Sequence, residues 1–91
     1  MINSTALIAE FLGTFLLVLT LFASGGNALM VGGALAGIIL LVGKISGGHV
    51  NPAISAAMYM KGSLSLNEFL AYAFVQLAGG VASLYTYRVF A

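Results

Sequence analysis

The sequence predicts an all-α membrane protein with three helices that cross a bilayer and one half-length helix that enters without crossing. Three observations carry this. First, the 91 residues are 62% hydrophobic and 5% charged, against about 25% charged residues in a soluble domain. Second, the apolar residues fall into long blocks separated by short glycine-rich breaks. Third, the stretch Ser46-Gly47-Gly48-His49-Val50-Asn51-Pro52-Ala53 reads as a loop running into a helix start. Pro52 lacks an N–H and is excluded from a helix interior, but it suits the first helical position. Asn51 before it is a favoured N-cap.

Thr5 to Ala23, rich in Leu and Phe, is long enough to span. Ser24-Gly25-Gly26-Asn27 is a tight uncharged turn by composition. Ala28 to Gly43 is a second apolar run of about 16 residues, short of the roughly 20 a span needs, so it is expected to borrow a turn from one end. Residues 44–60 form the re-entrant piece, a glycine-rich approach followed by a helix over Ala53 to Met60 that Lys61-Gly62 ends. At about nine residues and 1.5 Å each it is roughly 13 Å long, too short to cross a core of roughly 30 Å. Such pieces persist only where protein or a water-filled cavity covers their free backbone groups. Ser65-Leu66-Asn67-Glu68 fits a capping box, which opens a third span over 67–90. Tyr85, Tyr87 and Arg88 suit an interfacial anchor at its end. The expected organisation is one unit over 1–91, with spans at 5–23, 28–43 and 67–90.

Composition excludes several function classes. Cysteine is absent, there is one histidine, and there are two carboxylates, so no metal or cofactor site is expected. Glu10, Glu68 and His49 sit on different elements with no nucleophile–base spacing, which argues against an enzyme. A net charge of +1 offers no footprint for nucleic acid. The first span lacks a basic n-region and contains Glu10, unlike a cleaved signal peptide.

Three spans place the N-terminus, Lys44 and Lys61 on one side, and the first turn, Arg88 and the C-terminus on the other. The positive-inside rule then puts the N-terminus in the cytoplasm. Two cations against one is a bias small enough to allow insertion both ways round, a dual topology. Ala9/Gly13, Gly33/Gly37 and Gly79/Ser83 give every span a pair of small residues at four-residue spacing, the pattern that lets helices approach closely in lipid.

Among polar residues, Glu10 within the first span is the functional candidate by default. A support role is favoured over contact with a permeating molecule, because a buried carboxylate can accept from N–H groups that a glycine-rich loop leaves without helical partners. Gln76, mid-way along the third span, can serve in the same way. Asn27 reads as a turn residue. His49 admits two readings, a loop histidine bonded to backbone or a residue lining a pore mouth, where protonation would change conduction.

The stretch Ser46 to Ala53 resembles the first half of the aquaporin and glycerol-facilitator channels, the major intrinsic proteins. Ala9-Glu10-Phe11-Leu12-Gly13-Thr14-Phe15 looks like that family's first helix, and Val75-Gln76-Leu77-Ala78-Gly79-Gly80 like its third. The resemblance implies an aquaporin-like half, completed by an inverted second copy so that two half-helices headed by Asn51-Pro52-Ala53 meet at the bilayer midplane. The implied function is a passive pathway for water or a small neutral solute such as glycerol. Its unit is an antiparallel homodimer, extendable to an octamer of four dimers. Opposed helix N-termini disfavour cations and protons at the midplane. The Asn51 amides donate to a passing oxygen, and the carbonyls of Gly47, Gly48 and His49 form a ladder of acceptors leading in. Two departures stand out. Ile54 follows Asn51-Pro52-Ala53 where the family's second copy of the motif carries Arg, and Val31 falls near the level of the usual filter aromatic or histidine. A filter without Arg implies a wider, less selective opening. The Ser24–Asn27 turn is also shorter than the family's usual connector. The alternatives are a non-conducting structural or regulatory subunit that pairs with another channel half, and an active transporter, which the scarcity of intramembrane charges for ion coupling argues against.

Overall fold

A computed structural model describes residues 2–91, and they form four helices. Helix α1 spans Ser4–Ala23. Asn3 starts it, its Oδ1 accepting from the N–H groups of Thr5 at 2.9 Å and Ala6 at 3.2 Å. Helix α2 spans Ala28–Ser46, capped by Asn27, whose Oδ1 accepts from Met30 N–H at 3.0 Å. Helix α3 is the half-length element, Pro52–Lys61, with Asn51 as N-cap and Pro52 in its first turn. Its 10 residues make about 15 Å. Helix α4 spans Leu66–Phe90. The capping box is present in both directions, Glu68 N–H to Ser65 Oγ at 3.1 Å and Ser65 N–H to Glu68 Oε1 at 2.8 Å.

The end of α2 lies beyond the expected Gly43. Lys44, Ile45 and Ser46 continue the helix, and the stop is Gly47, at φ +93° with its N–H on the Gly43 carbonyl. A single glycine weakens a helix without ending it; the residue that takes the left-handed conformation ends it. The added turn brings α2 to 19 residues, about 28 Å, which suffices to span. Helices α1, α2 and α4 are all long and apolar enough to cross a membrane.

Helix α1 is the centre of the bundle. It packs against α2 on one side and α4 on the other, α3 rests on α4, and α2 packs on neither α3 nor α4. The faces that meet are small and polar: Ala6, Ala9, Glu10, Gly13 and Thr14 are buried on α1, and Tyr72, Gln76, Gly79 and Ser83 on α4. Large apolar side chains such as Ile8, Leu12, Leu16, Phe74 and Leu77 point outward. A soluble bundle has the opposite arrangement; lipid supplies no hydrophobic drive between helices, so close backbone approach and hydrogen bonds hold them together.

Two of the three small-residue pairs do this inside the chain. A Cβ on Gly79 would stand 2.6 Å from the Phe11 carbonyl oxygen, and one on Gly13 would stand 2.6 Å from Val50 Cγ1. The Gly33/Gly37 pair has no neighbour within 4 Å of either position. At the far end, Phe22 and Tyr87 rings lie 5.6 Å apart and the Arg88 guanidinium sits 5.6 Å over the Tyr85 ring.

Candidate functional site

The loop from Ser46 to Asn51 is held from behind by Glu10, which is 0% exposed. Four donors converge on its carboxyl. Oε2 accepts from Ser46 Oγ–H at 2.7 Å and His49 N–H at 3.0 Å, and Oε1 from Val50 N–H at 2.7 Å and Gln76 Nε2–H at 2.8 Å. Ser46 also accepts from Gly48 N–H at 3.2 Å. Tyr72 closes the cluster by donating to the Ser46 carbonyl at 2.7 Å. Glu10 and Gln76 thus touch the loop and one another, joining α1, α4 and the α2–α3 connection.

This anchoring holds a strained residue. Val50 is β-branched yet has φ +46°, in the region such residues avoid at a cost of about 1–3 kcal/mol. Its N–H is bound by Glu10, and its side chain is buried in the space that Gly13 leaves open. Gly47 and Gly48, at φ +93° and +64°, supply the two preceding left-handed positions.

The loop therefore has two chemically different sides. The N–H groups of Gly48, His49 and Val50 turn inward to Ser46 and Glu10. The carbonyl oxygens of Gly47, Gly48 and His49 accept from no donor among the described residues. Asn51 uses its side-chain oxygen to cap α3 through Ala53 N–H at 2.8 Å. That leaves its amide NH2, on an exposed residue, without a partner among the described residues.

His49 takes neither a backbone bond through its ring nor a fully open position. Its side chain is 7% exposed, its Nδ1 is 2.9 Å from Ser55 Oγ, and its ring lies 5.2 Å from that of Tyr72. Ile54 is partly open on the first turn of α3, at 39% exposure. Val31 is half-buried on α2, a helix that does not pack against α3. Among the described residues, no three His, Asp or Glu side chains gather as metal ligands.

Sequence reasoning missed Ser55, Tyr72 and the role of Val50. Ser55 is 0% exposed and receives Gln76 Nε2–H at 2.9 Å, which ties α3 to the Glu10 cluster. A signal for it existed, as the lone serine in the apolar run of α3. Tyr72 stands four residues before Gln76, on the same face of α4. Two buried atoms lack partners among the described residues, Thr14 Oγ1 and Gln76 Oε1.

The family described as Major intrinsic protein matches residues 24–90. The lens fiber major intrinsic protein of Gallus gallus is 40% identical over 88 residues, covering 85% of this chain and 34% of the relative. Aquaglyceroporin AqpS of Rhizobium meliloti is 32% identical over 90 residues, covering 82% and 39%. Glycerol uptake facilitator protein-like 6 of Lactiplantibacillus plantarum is 35% identical over 85 residues, covering 84% and 39%. The chain thus spans about a third of the length of these relatives. No solved structure matches it. With the family's pattern running through most of its length, and with three helices able to span a bilayer, this chain belongs to the major intrinsic proteins, a family of integral membrane channels and not of enzymes.

Proposed function

We propose that the chain is one half of a passive channel for water and small neutral solutes, with the pore completed by a second half in the inverted orientation. The observation that carries this is the two-sided loop: the N–H groups of Gly48, His49 and Val50 face Ser46 and Glu10, and the carbonyls of Gly47, Gly48 and His49 are left free. A row of fixed acceptors, followed by the donor amide of Asn51 at the head of a helix, replaces part of a solute's hydration without holding it tightly. The α3 N-terminus adds a positive end to this row, which disfavours cations. Glycerol and water enter as solutes on the strength of the relatives' names.

A second half is needed because the path has one wall. Helix α3 rests on α4 alone, and α2 leaves one face uncovered. A second copy of this chain, inserted upside down, supplies the missing wall, and four such dimers would make an octamer. Ile54 then stands at both filter positions and leaves them without a fixed cation.

The test is osmotic. The purified chain is reconstituted in liposomes, and shrinkage after an osmotic step is followed by stopped-flow light scattering. Fast shrinkage with a low activation energy is expected. Shrinkage no faster than in protein-free liposomes, with the protein shown to be folded and incorporated, would overturn the stand-alone channel and favour a non-conducting subunit or a distinct complementary half.

A further inference from the structure

We propose that Ser55 is a positioning residue for His49: its hydroxyl proton goes to Nδ1, which fixes the neutral imidazole as the Nε2–H tautomer and turns that N–H outward beside Gly47. Ser55 Oγ has two hydrogen-bonding neighbours among the described residues, Gln76 Nε2 at 2.9 Å and His49 Nδ1 at 2.9 Å. An amide nitrogen only donates, so Gln76 occupies a lone pair of Oγ and cannot receive its proton. Three helical hydroxyls return their proton to a carbonyl of the preceding turn, Thr20 to Leu16 at 2.8 Å, Ser83 to Gly80 at 2.7 Å and Thr86 to Ala82 at 2.9 Å, whereas Ser46 gives its proton to Glu10 and Thr14 has no partner among the described residues. Ser55 makes no such bond, which leaves Nδ1 as the acceptor.

Glu10 fixes the orientation of Gln76 on which this rests. Turning the amide over would set its carbonyl oxygen 2.8 Å from a carboxyl oxygen that already accepts from Val50. At the other end of the ring, Nε2 has no partner among the described residues and is not among the enclosed orphan atoms. It lies against Gly47, where a Cβ would come within 2.8 Å of it. Gly47 is therefore required twice, for its left-handed backbone and for the room it leaves the ring edge. The consequence for permeation, a fixed N–H donor beside the free carbonyls so that the approach to Asn51 offers both hydrogen-bond roles, rests on the channel reading. The tautomer itself does not.

His49 is the sole histidine of the chain, so histidine-labelled protein reports on it alone. The full chain, labelled with 15N-histidine and held in lipid bilayers at about pH 8.5, above the ordinary imidazole titration, is examined by solid-state NMR. A single pair of signals is expected, an unprotonated, hydrogen-bonded Nδ1 and a protonated Nε2. Ser55→Ala should give a mixture of tautomers, and Ser55→Thr, which keeps the hydroxyl, should restore the single form. A protonated Nδ1 or a mixture in the unsubstituted chain would overturn the assignment, as would a folded Ser55→Ala chain with an unchanged spectrum. If Ser55→Ala fails to fold, proton–nitrogen proximity spectra of the unsubstituted chain decide alone: a hydroxyl proton is found at hydrogen-bond distance from an unprotonated Nδ1, or the assignment falls. Osmotic shrinkage of the same preparation separates the two readings. Water flux with the wrong tautomer rejects this proposal alone, and the right tautomer without flux rejects the channel alone.

Discussion

The chain uses Ser-Gly-Gly twice, at Ser24-Gly25-Gly26-Asn27 and at Ser46-Gly47-Gly48-His49, and the two copies behave differently. Locally they are alike. Both glycine pairs lie at positive φ, +65° and +78° in the first copy and +93° and +64° in the second. In each, the serine hydroxyl accepts a nearby N–H, that of Asn27 at 3.2 Å or of Gly48 at 3.2 Å. Each leads to an asparagine that caps the next helix. The first copy closes on itself, with the Gly25 and Gly26 N–H groups returning to the Phe22 and Leu21 carbonyls of α1. The second is held by Glu10, 36 to 40 residues earlier in the chain, and it carries the strained Val50. Glycine makes the reversal; a buried carboxyl gives it a fixed direction, with donors on one side and free acceptors on the other.

The largest way to break this difference is Glu10→Ala. It strands two buried backbone N–H groups and one N–H of the Gln76 amide, each at about 1–3 kcal/mol, so a loss of roughly 3–9 kcal/mol and a collapse of thermal stability in detergent are expected. A chain that melts normally would show that the loop holds its shape without the carboxyl. A smaller effect distinguishes the two glycine pairs. Gly26→Ala should cost about 1–2 kcal/mol, the penalty of a left-handed residue, since nothing lies within 4 Å of its Cβ. Gly48→Ala carries the same penalty and sets its Cβ 3.3 Å from the Ile39 Cα, so it should lower the melting temperature further. Equal shifts would mean that the second loop is as free as the first. The smallest effect on stability compares the caps. Asn27→Ala and Asn51→Ala should each cost about 1 kcal/mol, yet osmotic water flux should change only for Asn51→Ala. Equal flux in both variants would remove Asn51 from the path.

Much of this was legible in the sequence because membrane helices announce themselves as long apolar blocks, and Asn51-Pro52 suits the N-cap and first position of a helix. Glu10 and Gln76 stood out because polar groups in such blocks need partners. What stayed hidden depended on tertiary contact. The apolar run ending at Gly43 was expected to borrow a turn from one end without a sign of which, and the borrowed turn proved to be Lys44 to Ser46, ended by the left-handed Gly47. Ser55 and Tyr72 looked like ordinary helix residues until α4 was laid against α3. The positive φ of Val50 runs against the preference of a β-branched residue, so no local rule points to it. Gly33 and Gly37 carry the packing pattern and find nothing to pack on among the described residues.

That uncovered face of α2 and the single wall beside α3 make inverted pairing the central claim, and topology tests it most directly. The chain has no cysteine, so Ala91→Cys provides one reporter at an exposed terminus. Labelled with a membrane-impermeant maleimide in sealed vesicles drawn from the cells that made it, the protein should show two populations, one reactive at once and one only after the vesicles are opened. Reaction confined to one side would contradict pairing between inverted copies of this chain.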